Sequence, residues 1–463
     1  MINGKKIVIG DIVRTPWGFE GGSLSNYTAV DLLTETLKEI VARSGVDANK
    51  IESVITGCCN QGTANMNIAR IGAQSAGIPN TSTDSSVQLN CVSGLESILR
   101  SVHKVLSPFD GDLYISSAVE GMSQFGGRIT NLDAYNSALL GMTSAYGKEG
   151  FEEKYKEFVD NNAIDEETGF NSNVLNCIVE SLTDRQSDMS MAECAEIIAN
   201  IYNVSKESQD LYSYGCLKKS IEAIEAGKLD NYVMSLKDKD GNDLHRDEYP
   251  LKRQKWLKKG EEFFTSKKPF INEGAAWLTP DMFYKKHAEV MKSLGFQRDK
   301  IDPSVTLWSS CGNADGASSA IVTTEEMAKK EGLNIKAEIV SWAYSGVHPA
   351  VMGIGPLYST VKALENANLK MEDIDIIEIH EPFAATVLAC MSQSEKEFGI
   401  KWDESKMNTL GGTLFYRHPL GATFFRLITN IFTRFDENPE AKYALATSCA
   451  GGGLGGTLIL KRP

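Results

Sequence analysis

The sequence Leu89-Asn90-Cys91-Val92-Ser93-Gly94 places a cysteine immediately before residues 95–105, whose apolar side chains recur with helical spacing. The thiolate is the reactive form of cysteine, and the amino end of a helix lowers the pKa of a thiol through unpaired amides and the helix dipole. The stretch therefore predicts a helix that begins just after Cys91, with the sulfur at its amino end. For an isolated block of this kind, a packed core cysteine is the competing interpretation.

Three later blocks add two histidines and a second cysteine, each in a turn marked by glycine or proline. They are His380-Glu381-Pro382-Phe383-Ala384, His418-Pro419-Leu420-Gly421-Ala422-Thr423 and Cys449-Ala450-Gly451-Gly452-Gly453. An imidazole at such a corner can act as a base toward a thiol, and a glycine loop can present amides to a thioester oxygen. Each block alone also fits a hydrogen-bonded core histidine or a plain tight turn.

The bulk composition is that of a folded globular protein. The chain has 463 residues, of which 42% are hydrophobic and 23% charged, and its net charge is −14. This length predicts two to three domains, and the negative charge argues against a nucleic-acid or anionic-membrane binder.

Nine cysteines at irregular spacing do not form a disulfide pattern, so we expect a reducing, cytoplasmic compartment. The amino terminus enters an apolar run at once, without the features of a secretory signal. No stretch approaches the roughly 20 apolar residues that a membrane span needs.

Alternating strand and helix patterns at both ends of the chain predict an α/β layered fold. Strands are predicted at residues 6–9, 53–56, 113–117, 337–341, 374–379 and 443–447, with a strand end at 411–415. Helices are predicted at residues 27–44, 64–76, 356–368 and 423–432. Between about 126 and 300 the sequence is charged and helix-prone, with two strongly charged pieces at 147–165 and 237–268 that we interpret as lying on the surface.

A weak internal echo suggests two related halves. Cys91 and His418 each stand three residues before a glycine, Gly94 and Gly421, that leads into helical sequence.

The order and contexts of the four blocks resemble the thiolase family from end to end. Further stretches carry the same resemblance: Val119-Glu120-Gly121-Met122-Ser123, residues 305–318 and residues 346–356. The resemblance implies two similar α/β halves in a five-layered αβαβα arrangement with an inserted loop domain. It places an N-terminal half at 1–125, completed by about 304–326, the loop domain at 126–303 and a C-terminal half at 327–463.

The resemblance also implies a reversible thiolytic cleavage of 3-ketoacyl-CoA in fatty acid metabolism. Cys91 would attack the ketone and carry the shortened acyl group, and His418 would activate Cys91 and help to hold the thioester oxygen of acetyl-CoA. Cys449 would move the proton at the α-carbon of acetyl-CoA. The amides of Cys91 and Gly451 would form a second oxyanion hole.

Other residues are assigned to the site by the same resemblance. His380 stands where many thiolases have asparagine, and the His-Glu-x-Phe-Ala pattern is similar to the thiolase subunit of the fatty-acid trifunctional enzyme, which acts on longer chains. We expect Met189, Cys311 and Phe383 to contact substrate or the CoA arm. No metal and no permanently bound cofactor is expected, because CoA thioesters are the substrates.

The chain departs from the family pattern beside His418. Arg417 and Phe424 replace residues that are usually glycine, and Phe425 follows. An unpaired charge beside the imidazole would lower the pKa of that ring. We therefore expect Arg417 to point away from the thiols toward an acidic group, a substrate carboxylate or a CoA phosphate, with the two phenylalanines packed on the helix.

Two alternatives remain open at this point. A decarboxylating Claisen enzyme also uses one cysteine and two histidines, although Cys449 argues against it. An inactive thiolase-like scaffold subunit would account for Arg417, Phe424 and Phe425. The expected partners are acyl-CoA and CoA and a second copy of the chain, as a homodimer or homotetramer, with a possible accessory subunit and no nucleic acid.

Overall fold

The computed structural model describes residues 2, 4–62, 65–124, 127–129, 174–176, 182–272 and 278–463. They belong to two compact units, residues 1–124 with 191–463 and residues 125–190. The charged piece at 147–165 lies outside the described residues. The three-part division with a loop domain at 126–303 stays a prediction.

Ten strands of the first unit form one sheet. They are β1 (Ile7–Arg14), β2 (Gly18–Phe19), β3 (Ser53–Gly57), β4 (Ser85–Val87), β5 (Leu113–Gly121), β12 (Ala314–Thr324), β13 (Ala337–Gly346), β14 (Ile376–Ile379), β15 (Tyr443–Ala450) and β16 (Leu454–Lys461). Three further two-stranded sheets are present among the described residues: β6 (Gly127–Ile129) with β7 (Val174–Asn176), β8 (Thr183–Asp184) with β9 (Met189–Ser190), and β10 (Leu236–Lys237) with β11 (Asp243–Leu244).

The helices have the following bounds: α1 Ala29–Ser44, α2 Ile68–Ser75, α3 Ser93–Leu106, α4 Met191–Ile201, α5 Lys206–Glu225, α6 Glu248–Leu257, α7 Glu261–Thr265, α8 Pro280–Ser293, α9 Glu325–Lys330, α10 Gly355–Ala367, α11 Ala384–Phe398, α12 Thr413–Tyr416 and α13 Thr423–Glu437. Local signals explain their ends. Thr28 and Asp31 form a capping box before α1, and Gly45 ends that helix in the left-handed conformation. Each described helix is too short or too polar to cross a bilayer.

The large sheet consists of two similar halves joined at one seam. Its order is β14-β15-β16-β13-β1-β12-β5-β3-β4, with β2 beside β12. The seam is a short antiparallel pairing, Val8 with Glu338 and Ile9 with Ala337. On either side, β12 and β5 repeat the roles of β16 and β15, so the sheet supports the weak echo seen in the sequence.

Helices cover both halves in layers. The α1 helix packs on β1, β5 and β12, whereas α3 packs on β3 and β5 and also contacts α13. The α13 helix packs on β14 and β15, and α10 packs on β13 and β16. Buried side chains of α3 and α13, including Leu95, Ile98, Phe424 and Ile428, share one hydrophobic core with strands of both halves. The predicted five-layered α/β fold is confirmed, with α3 and α13 as its central layer.

Two expectations need correction. Residues 411–415 do not end a strand, because Gly411 (φ 83°) and Gly412 turn the chain into α12. There the Leu414 amide faces the buried carboxylate of Glu381. The charged piece at 237–268 is also more than a surface segment, since Asp247 is 1% exposed and accepts two hydrogen bonds from Arg14, at 2.7 and 2.6 Å.

Candidate active site

The chain segments before α3 and α13 approach each other closely in the central layer. A Cβ on Gly94 would lie 2.7 Å from the carbonyl oxygen of Gly421 and 3.1 Å from the Phe425 ring. A Cβ on Gly421 would lie 3.1 Å from both Ser93 and Glu120. Only residues without a side chain allow this approach, which brings Cys91 and His418 to one place.

Cys91 and His418 form the central pair of the site. His418 Nε2 lies 3.2 Å from Cys91 Sγ, and His418 Nδ1 lies 2.6 Å from Thr423 Oγ1. The His418 amide donates to the Gly312 carbonyl at 2.8 Å, which fixes the backbone that carries the ring. The ring is 5% exposed. The predicted pairing of a thiol with an imidazole base is therefore present in the geometry.

Burial keeps this pair neutral. Burial raises the pKa of Cys91 to about 11. The Gly451 amide acts in the opposite direction and lowers this pKa, while the charge of Glu120 raises it further. Burial, followed by the charge of Arg426, lowers the pKa of His418 to about 3. The amides at the helix start do lower the thiol pKa, as expected, but desolvation of the thiolate outweighs them and the net shift is upward.

His380 lies beside His418, at the end of β14. The two ring centroids are 4.3 Å apart. His380 Nδ1 lies 3.0 Å from Thr413 Oγ1, while His380 Nε2 is buried and has no hydrogen-bond partner among the described residues. Burial lowers the pKa of His380 well below its usual range, and His418 and Arg426 lower it further. The second imidazole is therefore a neutral group with one unused nitrogen.

Cys449 occupies the end of β15, opposite Gly455 of β16. It is 2% exposed, and burial raises the pKa of its thiol well above the usual range, with Cys91 as the next cause. Gly452 and Gly453 then turn at φ 83° and 82°. The Gly451 carbonyl accepts a hydrogen bond from Asn90 at 2.8 Å, which joins this turn to the Cys91 segment.

The structure gives different surroundings for the other predicted site residues, Phe383, Cys311 and Met189. Phe383 packs in one apolar cluster with Cys449. The Cys311 amide donates to the Pro382 carbonyl at 2.8 Å, and burial raises the pKa of its thiol to about 12, with Cys91 as the next cause. Met189 pairs with Asp184 in the second unit, and its place at the substrate stays a prediction.

The Arg417 side chain packs on aromatic side chains. Its Cζ lies 3.7 Å from the centre of the Tyr249 ring and 6.0 Å from that of Phe19. A Cβ on Gly312 would lie 1.6 Å from Arg417 Nη1, so the guanidinium occupies the space that glycine leaves. No ion pair joins it to any carboxylate of the described residues. The expected acidic partner is thus absent from the described part of the chain.

The backbone of Arg417 explains why glycine is common at this position. Its φ of 70° and ψ of −178° lie in a region that is almost restricted to glycine. Phe424 and Phe425 are fully buried in the shared core, as expected for residues that pack on the helix.

Glu120 links the two halves beneath Cys91. Its carboxylate accepts hydrogen bonds from the amides of Cys59 (2.5 Å), Asn60 (3.3 Å) and Gly421 (3.2 Å). The side chain is fully buried, which raises the pKa of Glu120 to about 7 even though these amides lower it.

Sequence reasoning did not single out several residues around the imidazoles. These are Glu120, Met191, Thr413, Thr423 and Arg426. Glu120 and Thr423 stood inside quoted blocks, Thr413 lay within residues 411–415 and Arg426 follows Phe425, but only the folded chain shows which nitrogen each hydroxyl meets. Met191 approaches Gly451, because a Cβ there would lie 3.6 Å from the Met191 sulfur.

Comparisons with known proteins agree with the geometry. The family described as "Thiolase, N-terminal domain" matches residues 7–259, and "Thiolase, C-terminal domain" matches residues 333–462. The beta-ketoadipyl-CoA thiolase of Escherichia coli is 30% identical over 467 residues, which cover 99% of this chain and 100% of the relative. A probable acetyl-CoA acyltransferase of Staphylococcus epidermidis is 28% identical, with 99% of each chain covered.

Solved structures show the same fold. The crystal structure of the Bacillus anthracis acetyl-CoA acetyltransferase matches with a TM-score of 0.77 and 27% identity over 99% of both chains. Human mitochondrial 3-ketoacyl-CoA thiolase matches with a TM-score of 0.74 and 24% identity over 99% of both chains. These matches favour neither the decarboxylating alternative nor the inactive scaffold. The chain belongs to the thiolase family and is an acyltransferase.

Proposed function

We propose that the chain catalyses the thiolytic cleavage of a 3-ketoacyl-CoA, and its reversal, through an acyl group carried on Cys91. The observation that carries the proposal is the 3.2 Å approach of His418 Nε2 to Cys91 Sγ in a partly buried site. A neutral imidazole at this distance can take the thiol proton as the sulfur attacks a carbonyl.

In the first step His418 takes the proton of Cys91, and the sulfur bonds to C3 of the substrate. The C2–C3 bond then breaks and leaves its electron pair on C2 of the acetyl-CoA fragment. Cys449 donates its proton to that carbon. Acetyl-CoA leaves, and the shortened acyl group remains on Cys91 as a thioester.

In the second step Cys449, now a thiolate, takes the thiol proton of free CoA. The CoA sulfur attacks the acyl carbon, Cys91 leaves and regains its proton from His418, and the product is the shortened acyl-CoA. The transient anions require hydrogen-bond donors. We assign one oxyanion site to the Nε2 atoms of His380 and of His418, the latter once it carries the proton taken from Cys91, and the other to the amides of Cys91 and Gly451. A single such donor lowers the activation barrier by about 3 kcal/mol.

The acyl class of the substrate is a second part of the proposal. The His-Glu-x-Phe-Ala pattern favours longer acyl chains, and the E. coli relative is named for a dicarboxylic thioester. The Arg417 guanidinium has no carboxylate partner in the described residues. A carboxylate on the acyl tail or a phosphate of CoA would supply one.

Thiolysis by the purified chain tests the function directly. We expect acetyl-CoA to be released from a series of 3-ketoacyl-CoA esters of increasing length, with CoA required. Mass spectrometry of enzyme incubated with acyl-CoA should find the acyl group on Cys91. A stable adduct on Cys449 or Cys311 with Cys91 unmodified would contradict the assignment.

Substrate choice is tested with Arg417→Gly on paired substrates. If Arg417 binds an acyl carboxylate, the KM for dicarboxylic 3-ketoacyl-CoA esters rises far more than that for simple esters of the same length. An equal rise for both, together with a rise in the KM for CoA, would assign Arg417 to the CoA phosphates instead.

Assembly and location complete the proposal. We infer a homodimer or homotetramer that binds CoA and acyl-CoA without a permanent cofactor, a possible accessory subunit and no nucleic-acid partner. The irregular spacing of the nine cysteines supports a cytoplasmic location. Light scattering of the purified chain measures the oligomeric state.

A further inference from the structure

Thr413 lies behind His380 and connects that ring to a buried arginine. Its hydroxyl oxygen is 3.0 Å from His380 Nδ1 and 2.9 Å from Arg426 Nη2. Among the described residues these are the two hydrogen-bond partners of Thr413 Oγ1. All three side chains are almost completely buried, with exposed fractions of 0% for Thr413 and Arg426 and 1% for His380.

The chemistry of the three groups fixes the direction of both hydrogen bonds. An arginine side chain has donors and no acceptor, so Thr413 Oγ1 must accept from Arg426. The single hydroxyl proton of Thr413 then has one acceptor within reach, the Nδ1 atom of His380. If Nδ1 carried the ring proton instead, the buried hydroxyl proton would have no acceptor, and His380 Nε2 would be a buried acceptor without a donor.

We propose that Arg426 and Thr413 are positioning residues that hold His380 as the Nε2–H tautomer and so aim a hydrogen-bond donor at the substrate oxygen. His380 Nε2 is the nitrogen that lacks a partner in the described residues, and the ring that carries it lies beside the ring of His418. This inference rests on the proposed function, in which that atom faces a developing oxyanion. A donor whose proton is already in place needs no rearrangement during the reaction.

Arg426 is itself held in place by acidic and aromatic groups. Its Nη1 lies 4.0 Å from Glu378 Oε2, and its Cζ lies 5.5 Å from the Tyr416 ring centre. Glu378 also pairs with Arg434 at 3.4 Å and accepts from Asn430 at 3.0 Å. The arginine thus reaches Thr413 from a fixed position and not as a mobile surface charge.

The second imidazole provides an internal contrast. His418 Nδ1 meets Thr423 Oγ1 at 2.6 Å, but no arginine among the described residues donates to that hydroxyl. Thr423 is therefore free to accept from Nδ1–H, which leaves the Nε2 lone pair toward Cys91. A threonine hydroxyl contacts Nδ1 of both histidines, but His418 is left as a base and His380 as a hydrogen-bond donor. The difference arises because Arg426 donates to Thr413 and no arginine of the described residues donates to Thr423.

The location of the ring proton can be read by nitrogen NMR. The protein contains six histidines, so selective imidazole labelling with nitrogen-15 gives few signals, and His380→Gln identifies those of residue 380. We expect a protonated Nε2 and a hydrogen-bonded, unprotonated Nδ1 in the wild-type protein. Thr413→Val should move the Nδ1 signal to that of a nitrogen without a donor, and Thr413→Ser should keep it. A protonated Nδ1 in the wild-type protein overturns the proposal.

Kinetics test whether this arrangement matters for turnover. Removing the hydrogen-bond partner that orients a metal-ligating histidine costs about 10- to 100-fold in affinity or activity, and we take the lower end of that range as the scale for this imidazole. We expect Thr413→Val to lower kcat by about that factor with little change in the KM for CoA, and Thr413→Ser to restore it. Thr423→Val is the matched variant at the other imidazole, and should slow the acylation of Cys91 instead.

The two failures are distinguishable. If wild-type enzyme turns over and Thr413→Val keeps the full kcat, the positioning role is wrong and the proposed function stands. If the wild-type chain cleaves no 3-ketoacyl-CoA, the proposed function fails, while the nitrogen spectrum still decides where the His380 proton lies.

Discussion

The segments that lead into α3 and α13 occupy equivalent places in the two halves, but they support their catalytic groups differently. Asn90, before the thiol, adopts φ 49°, a conformation that asparagine tolerates, and its side chain holds the Gly451 carbonyl. Arg417, before the imidazole, adopts a conformation that suits glycine almost alone. Local preference therefore sets the thiol segment, whereas surrounding contacts must impose the shape of the imidazole segment.

The largest effect is expected when the thiol of the first segment is removed, because the imidazole of the second segment then has no thiol to act on. Cys91→Ala should lower kcat/KM for thiolysis by about 10,000-fold or more, because no other group forms the acyl intermediate. A matched control is Cys216→Ser, which changes another buried thiol and keeps a group that can donate a hydrogen bond to Glu381. Steady-state assays on both variants measure the effect. Substantial turnover by Cys91→Ala would show that another residue is the nucleophile.

Glu120 connects the loop at Cys59 and Asn60 to Gly421 of the imidazole segment, and its ionisation should lower the stability of the fold. Its pKa rises from 4.5 unfolded to about 7 folded, so the native state holds a proton that the unfolded chain has released between these values. Stability from this group is therefore complete below pH 4.5 and decreases as pH rises to about 7, by about 3 kcal/mol in total.

Urea unfolding at pH values between about 4.5 and 8 measures this loss. Glu120→Gln should remove it, so the difference in unfolding free energy between the two proteins should change with pH in that window. Parallel curves for the two proteins would mean that Glu120 does not titrate there.

Adding one methyl group where the segments touch tests their close packing. Gly94→Ala would place a Cβ 2.7 Å from the Gly421 carbonyl, and the resulting shift should cost about 2 kcal/mol of stability. Gly215→Ala in α5 is the control, because that Cβ meets nothing within 4 Å and alanine favours a helix. Chemical denaturation compares the two variants, and equal stabilities would exclude steric conflict at Gly94.

The smallest expected effect measures the strain at Arg417. Arg417→Gly and Arg417→Ala both remove the contact with Tyr249, but only glycine relieves the backbone, so Arg417→Gly should be more stable than Arg417→Ala by about 1 kcal/mol. At Asn90 the same two substitutions should differ by less. Thermal or urea unfolding of the four variants measures the stability difference between the glycine and alanine variants at each position. Equal differences at positions 90 and 417 would mean that the two segments are not distinguished by backbone strain.

The sequence predicted the two similar halves, six strands and five helices of the layered fold, and the thiols and imidazoles that meet in the site. Periodicity suffices for those strands and helices, because burial of an amphipathic face determines each element, whereas the site residues were recognised from the four motif blocks and the family resemblance. Residues 411–415 show where it fails, since a short pattern of small and apolar residues fits a strand end and a helical turn equally well. The pKa of Cys91 shows a second limit, because burial of the thiol depends on residues brought from the other half.

Thr413 and Arg426 show the third limit. Nothing in their spacing reveals that an arginine, a hydroxyl and an imidazole nitrogen line up, because three separate segments supply them. Arg417 was predicted in part. The sequence marked it as unusual, but only the structure shows that its charge rests on Tyr249 without a carboxylate partner among the described residues.

The pairing of Cys91 with His418, 327 residues further along the chain, also affects how the protein is made. On the ribosome the amino-terminal half emerges first. The β1 strand cannot pair with its neighbour β12, which begins at Ala314, until β12 has been synthesised. Such distant contacts form slowly. Until the last segments have been synthesised, Cys91 has no imidazole beside it, so the thiol–imidazole pair forms only when translation is nearly complete.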